Sequence, residues 1–254
     1  MPGVDRITFV GHSTVLVEID GVGLLTDPVL RERVLHIRRH APLPKPGMLE
    51  DVDAVLISHT HADHFDPPSV REVGAPRLIV PAGTGRIMSR RRFRERTELA
   101  AGDAVEIDGV GVRAVKAVHD GRRWPIGWRT ESIGYVIEGN RHNVYFAGDT
   151  APFDELGMAA PDVDVALLPI AGWGAKLPDW AHLGPETAAE AAAALRAKLV
   201  VPIHWGTLLQ TGLARRRDEL FEGPVREFAD HLARLAPETE LRVLRPGEST
   251  ELGG

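Results

Sequence analysis

Val55-Leu56-Ile57-Ser58-His59-Thr60-His61-Ala62-Asp63-His64-Phe65-Asp66, residues 55–66, sets three histidines and an aspartate into six positions directly after an apolar run that reads as a buried strand. A chain leaving a sheet in extended form turns alternate side chains the same way, so His59 and His61 can face one ion. Where the backbone bends into a loop or helix start over residues 60–64, Asp63 and His64 swing toward a second, neighbouring position. Imidazole nitrogens and carboxylate oxygens are ligands that divalent ions such as zinc accept, and hydrolytic two-metal sites hold their ions about 3.5–4 Å apart. A single histidine says little about function. Four metal-competent side chains in six positions after a strand predict a metal site.

Two ions sharing four side chains are under-coordinated, which requires further donors from the ends of other strands. The sequence offers three. His119 ends the alternating run Val110 to Val118 and precedes the turn dipeptide Asp120-Gly121. Asp149 follows the β-rich run Asn143 to Gly148, and His204 follows Leu199-Val200-Val201-Pro202-Ile203. All three sit at predicted strand exits, where loops carry function on a rigid scaffold.

His59-Thr60-His61-Ala62-Asp63-His64 followed by His119, Asp149 and His204 in that order resembles the five-part signature of the metallo-β-lactamase superfamily. The segments 9–17, 25–29 and 203–207 resemble the branch containing the N-acyl-phosphatidylethanolamine phospholipase D and the ascorbate-6-phosphate lactonase, and the likeness runs over nearly the whole chain. This resemblance implies an α/β fold, an αββα four-layer sandwich of two related halves. It implies a first metal held by His59, His61 and His119, a second by Asp63, His64 and His204, and Asp149 bridging both. Asp27 matches an early aspartate that supports the ligand loop from behind, as carboxylates commonly do for ligating histidines. His12 looks typical of the family too, yet it follows a strand directly and equally suits a structural role.

Departures from relatives narrow the chemistry. The chain has no cysteine, so the thiolate of true zinc β-lactamases is absent. His61 stands where the flavin-linked di-iron oxygen reductases carry a glutamate, which argues against redox chemistry. The 254 residues leave little room for the inserted domain of nucleic-acid-processing members, and a formal charge of −6 gives no overall attraction to phosphate backbones.

Two adjacent dications lower the pKa of a shared water, so a bridging hydroxide becomes available as a nucleophile at neutral pH. The expectation is a dinuclear metal-dependent hydrolase of a phosphodiester, a lactone or a related small ester. Asp63 or Asp149 would orient the hydroxide and accept its proton. His182, within Ala181-His182-Leu183-Gly184-Pro185-Glu186, would protonate the leaving group from just before a helix start. Zinc heads the candidate ions, with manganese, iron and cobalt also served by such ligands. The alternatives are a non-catalytic metal-binding or scaffold protein of the same fold, or a nucleic-acid phosphodiesterase.

The length suits a single hydrolase domain over residues 1–254, and 43% hydrophobic residues suffice for a substantial core. No stretch reaches the ~18–20 consecutive apolar residues of a membrane span, and residues 1–6 lack a secretory signal, so the expected location is cytoplasmic. Strands are predicted at 5–10, 13–19, 22–26, 104–118, 133–138, 143–147, 163–168, 199–203 and 240–244, and helices from Gly184-Pro185 to Lys198 and from Pro224 to Leu235. Residues 29–50, proline-rich and without period, read as an irregular loop. Arg122, Arg123 and Arg129 could bind a phosphate or carboxylate, and Trp124, Trp128, Trp173 and Trp180 could wall a pocket for a small-molecule substrate. Arg86, Arg90, Arg91, Arg92, Arg94 and Arg96 suggest a basic surface helix open to peripheral membrane contact. His36, His40, His142 and His231 are assigned to surface or loop roles.

Overall fold

The computed structural model describes residues 4–86, 96–123, 127–174 and 180–253. The chain opens with the meander β1 (Arg6–Gly11), β2 (Thr14–Ile19) and β3 (Val22–Thr26), followed by the hairpin β4 (Arg33–Val34) and β5 (Ile37–Arg39), then β6 (Ala54–Leu56), α1 (Pro67–Val73), β7 (Arg77–Pro81) and β8 (Arg96–Leu99). It continues through β9 (Ala104–Ile107), β10 (Val110–Lys116), the short pair β11 (Arg122–Arg123) and β12 (Trp128–Arg129), β13 (Ile133–Glu138), β14 (Asn143–Phe146), α2 (Leu156–Ala159) and β15 (Val165–Pro169). Last come α3 (Pro185–Leu195), β16 (Leu199–Ile203), β17 (Leu208–Gln210), α4 (Arg217–Leu235), β18 (Glu240–Leu241) and β19 (Glu248–Glu251).

Two seven-stranded sheets result, ordered β19-β1-β2-β3-β6-β7-β8 and β18-β16-β15-β14-β13-β10-β9. Each joins an antiparallel meander to a parallel run: β3, β6, β7 and β8 are parallel in the first, and β14, β15, β16 and β18 in the second. Period-two alternation sorts the first sheet's side chains between two faces. Ile7, Phe9, Val15, Val17, Leu24 and Leu56 join a core shared with Val112, Tyr135, Ile137 and Phe146 of the second sheet. Leu16, Leu25, Val55, Leu78 and Val80 instead pack outward with Phe65 and Val70, under α1. On the far side, the alanine-rich face of α3 and Phe228 and Leu232 of α4 complete the core. The layers are thus α, β, β and α, as the resemblance implies.

Local chemistry sets the helix ends. Asp66 caps α1 by accepting from the Ser69 N–H and hydroxyl, Pro67 and Pro68 occupy the first turn, and Gly74 closes it at φ 66°. α4 begins at Arg217, seven residues earlier than its predicted start at Pro224. A helical φ suits the proline ring, and its missing N–H removes one bond, to the carbonyl of Leu220 four residues back, from a helix of 19 residues. Against the expectation of a loop over 29–50, β4 and β5 form a hairpin that extends onto β17 as a three-stranded sheet. The signal for that pairing lies some 170 residues away in sequence, at Leu208–Gln210. Arg86 sits in a 3₁₀ turn and Arg96 opens β8, while Arg90, Arg91, Arg92 and Arg94 lie outside the described residues. Among the described residues no helix is long and apolar enough to cross a membrane.

Candidate metal centre

The C-terminal ends of β3, β6, β14 and β16 reach one edge of the sandwich, the position where ligands of α/β sheets commonly bind. They deliver Asp27, the 59–64 segment, Asp149 and His204, while the loop after β10 brings His119. The approach is tight. A Cβ on Gly148 (φ 59°) would lie 2.6 Å from the Ser58 Cβ, so only glycine lets Asp149 come this close to the histidine segment. His12, Asp27 and His204 all hold positive φ, at 58°, 34° and 62°. Such conformations store backbone strain and cluster at functional sites. The surroundings enforce them: the His12 N–H donates to the Thr207 hydroxyl at 2.8 Å, and the His204 N–H donates to the His12 carbonyl at 2.8 Å.

Each central imidazole has one nitrogen tied to a fixed acceptor, which assigns its tautomer. His64 Nδ1 donates to Asp27 Oδ2 at 2.7 Å, His204 Nδ1 to the Ala171 carbonyl at 2.6 Å and His119 Nδ1 to the Ala181 carbonyl at 2.9 Å. His61 Nε2 donates to the Arg122 carbonyl at 3.1 Å. Asp27 also accepts the Ser58 N–H at 2.7 Å and the Ser58 hydroxyl at 2.5 Å, leaving Ser58 Oγ to accept His59 Nδ1 at 3.0 Å. The remaining nitrogens therefore turn lone pairs inward. His61 Nδ1 faces His119 Nε2 at 3.1 Å, and His64 Nε2 faces His204 Nε2 at 3.1 Å. His59 Nε2 and Asp149 Oδ1 are buried with no hydrogen-bond partner among the described residues.

Lone pairs at that separation repel unless something positive lies between them, so the donor set fits divalent cations. The donors form groups whose ligand atoms lie within 4.8 Å of one another: His59, His61 and His119 in one, His12, Asp63, His64 and His204 in another. Asp149 stands between them, with Oδ2 3.3 Å from His64 Nε2 and 4.0 Å from His59 Nε2, and Oδ1 3.3 Å from His204 Nε2. Burial holds His59, His61 and His119 below the ordinary imidazole range and pushes His204 down to about 3, so these rings are neutral donors. Burial would also raise the Asp63 and Asp149 carboxyls, but the neighbouring histidines, His64 foremost for Asp63 and His204 for Asp149, hold both ionised. His64 is the exception. Burial opposes its charge, yet Asp149 and Asp63, carboxylates that a cation would otherwise offset, push it well above the ordinary imidazole range.

All seven predicted ligands and His182 converge here, His182 with Nδ1 3.3 Å from Asp149 Oδ2. His12, which the sequence alone suits equally to a structural or a site role, joins them. Its Nε2 lies 3.1 Å from Asp63 Oδ2 and its ring packs on His204 at 3.8 Å between centroids. The site opens into a cavity of about 210 Å³ lined by the donors His61, Asp63, Asp149 and His182, by the apolar Leu35, Ile37 and Trp173, and by the exposed Arg122. His36, expected on the surface, also lines this mouth, its ring edge-on to Trp173. Arg123 turns inward instead of toward a substrate, donating to the Thr60 and Phe65 carbonyls at either end of the ligand loop. Arg129 pairs with Asp120 at 3.6 Å, and Trp180 is 78% exposed outside the cavity. Trp124 and the Trp128 side chain lie outside the described residues.

Residues 23–205 match the family model described as "Beta-lactamase superfamily domain". The chain belongs to the metallo-β-lactamase superfamily. Within that superfamily it is 31% identical to a UPF0173 metal-dependent hydrolase of Rubrobacter xylanophilus, covering 100% of this chain and 98% of the relative. It is 32% identical to N-acyl-phosphatidylethanolamine-hydrolyzing phospholipase D 1 of Caenorhabditis elegans, covering 79% of this chain and 63% of that protein. An uncharacterised Mycobacterium tuberculosis protein is 35% identical over 218 residues, 79% of this chain, and the match spans only 58% of that relative's length. Among solved structures, the metallo hydrolase Igni18 of Ignicoccus hospitalis superposes with a TM-score of 0.71 at 25% identity, covering 99% of this chain and 100% of that one.

Proposed function

We propose that this chain is a metal-dependent hydrolase, one domain over residues 1–254, that holds two divalent ions and cleaves a small phosphodiester, lactone or ester. The observation that carries this reading is the inward-facing array of imidazole lone pairs around Asp149, each ring fixed from behind. In it His59, His61 and His119 would hold one ion, Asp63, His64 and His204 the other, and Asp149 would serve both. Nitrogen and oxygen donors without thiolate suit zinc first. The Caenorhabditis relative's name describes hydrolysis of a phospholipid, which supports a phosphodiester among the candidate substrates. A cavity of about 210 Å³ and a charge of −6 favour a small substrate over nucleic acid.

Ions held there would supply an acidified water and stabilise charge developing on the substrate oxygen. The rest is the work of this chain's side chains. His12 fixes Asp63 Oδ2, which with Asp149 stays ionised and can orient the attacking water and take up its proton. His182, on the cavity wall beside Asp149, is placed to give a proton to the leaving group. Arg122 offers a guanidinium at the rim to an anionic substrate group.

The test is turnover of bis-p-nitrophenyl phosphate and a lactone panel by the metal-loaded chain, Asp149→Ala and His182→Ala. Metal-dependent turnover abolished in Asp149→Ala, and reduced by about 10²–10⁴ in His182→Ala with metal content retained, is the expected result. A fully metallated wild type inert toward every substrate contradicts the substrate assignment, and unchanged turnover in His182→Ala removes that residue from the mechanism.

A further inference from the structure

The hairpin that helps to line the cavity carries a residue that neither its backbone nor its exposure favours. β4 and β5 are joined by a two-residue turn, Leu35-His36, between the paired Val34 and Ile37. Leu35 adopts φ 50° there, a left-handed conformation in which turns normally place glycine, asparagine or aspartate. It is also 54% exposed, and it lines the cavity. Strain and solvent-facing apolar surface in one residue at the entrance to a site point to a use there.

The turn is braced rather than free. Thr211 donates to the His36 carbonyl through its N–H at 2.9 Å and its hydroxyl at 2.7 Å, and the Gln210 N–H donates to the Trp173 carbonyl at 2.9 Å. Behind it Val29, Val34, Ile37 and Leu208 form a small buried cluster of their own, with Ala62 and Trp173 packed against it. The cavity lining therefore combines two chemistries, the apolar Leu35, Ile37 and Trp173 and the donors His61, Asp63, Asp149 and His182. Polar groups that fix the reacting atoms opposite an apolar surface are the ordinary design of a small-ligand site, and this one is small.

We propose that the β4–β5 hairpin is a fixed apolar lip that selects substrates carrying a short alkyl or aryl group beside the scissile bond, with Leu35 and Trp173 receiving that group. The proposal rests on the hydrolase reading for the word substrate, while the lip itself is a binding surface that can be tested without turnover. The probes are methylphosphonate and butylphosphonate, titrated calorimetrically into the metal-loaded full chain, Leu35→Asn and Leu35→Gly. Wild type binds butylphosphonate at least about tenfold more tightly than methylphosphonate, since three further methylene groups enter apolar surface. In both variants that ratio falls below about threefold, while the melting temperature holds or rises because asparagine and glycine accept the left-handed turn. A wild-type ratio near one, absence of binding by both phosphonates, or an unchanged ratio in both variants overturns the proposal. Turnover of bis-p-nitrophenyl phosphate in the same preparations separates the two claims: selective phosphonate binding without hydrolysis keeps the lip and loses the hydrolase.

Discussion

Asp27→Asn changes almost no volume and should nevertheless damage both metal positions. In the native arrangement Asp27 is acceptor-only: Oδ1 takes the Ser58 N–H, and Oδ2 takes the Ser58 hydroxyl and His64 Nδ1. An asparagine must keep its oxygen against the Ser58 N–H, which puts its NH₂ where Oδ2 was. That group can only donate, so His64 Nδ1 has to become an acceptor and carry its proton on Nε2, pointing at the site. The Ser58 hydroxyl reverses in the same way and donates to His59 Nδ1, which moves the His59 proton inward as well. One atom exchanged thus turns two lone pairs into N–H groups, one on each side of Asp149. Loss of such a supporting group typically weakens metal affinity 10–100-fold, about 1.4–2.7 kcal/mol. Ser58→Ala breaks only the relay to His59 and should weaken one of two binding steps. Competition with a chromophoric chelator measures both steps. Wild-type affinities for both ions in Asp27→Asn would refute the tautomer argument.

Three further outcomes follow from other parts of the structure. Arg123→Ala leaves the Thr60 and Phe65 carbonyls without their charged donor and should cost about 1–3 kcal/mol, read as a lower denaturation midpoint. Burial raises the Asp5 carboxyl, but bonds from His142, the Asp20 N–H and Arg141 more than offset it and hold it below the usual carboxylate range. Its stabilisation is therefore complete above the unfolded carboxylate pKa of about 3.9 and is lost as pH falls through the lower folded value, so Asp5→Asn should flatten the acid limb of a stability-against-pH curve. Stripping the ions with a chelator should lower stability by about 4 kcal/mol relative to a thousandfold excess of metal over its dissociation constant, seen as a fall in melting temperature restored by adding metal.

The fold and most of the site were legible because each carries a local signal. Strand exits at Ile57, Val118, Gly148 and Ile203 could be placed from apolar runs ending in turn residues, and the donors follow them directly. Features set by partners far along the chain had no such signal. His12 enters the site because Thr207 and His204, almost 200 residues later, hold its backbone in a left-handed turn. The hairpin inside 29–50 exists because β17 pairs with it, and the sequence there mixes prolines, basic residues and scattered apolar residues without a clean period. Arg122 and Arg123 are adjacent and alike in sequence, yet one reaches the cavity rim and the other anchors the ligand loop. That division follows from which carbonyls lie within reach after folding.

The decisive measurement is metal content per chain, by elemental analysis after loading with zinc and desalting, for wild type beside Asp149→Ala. Close to two ions are expected in wild type and clearly fewer in the variant, because Asp149 lies against donors of both groups. A wild type that retains no ion after loading, or a variant that retains as much as wild type, would contradict the two-ion site.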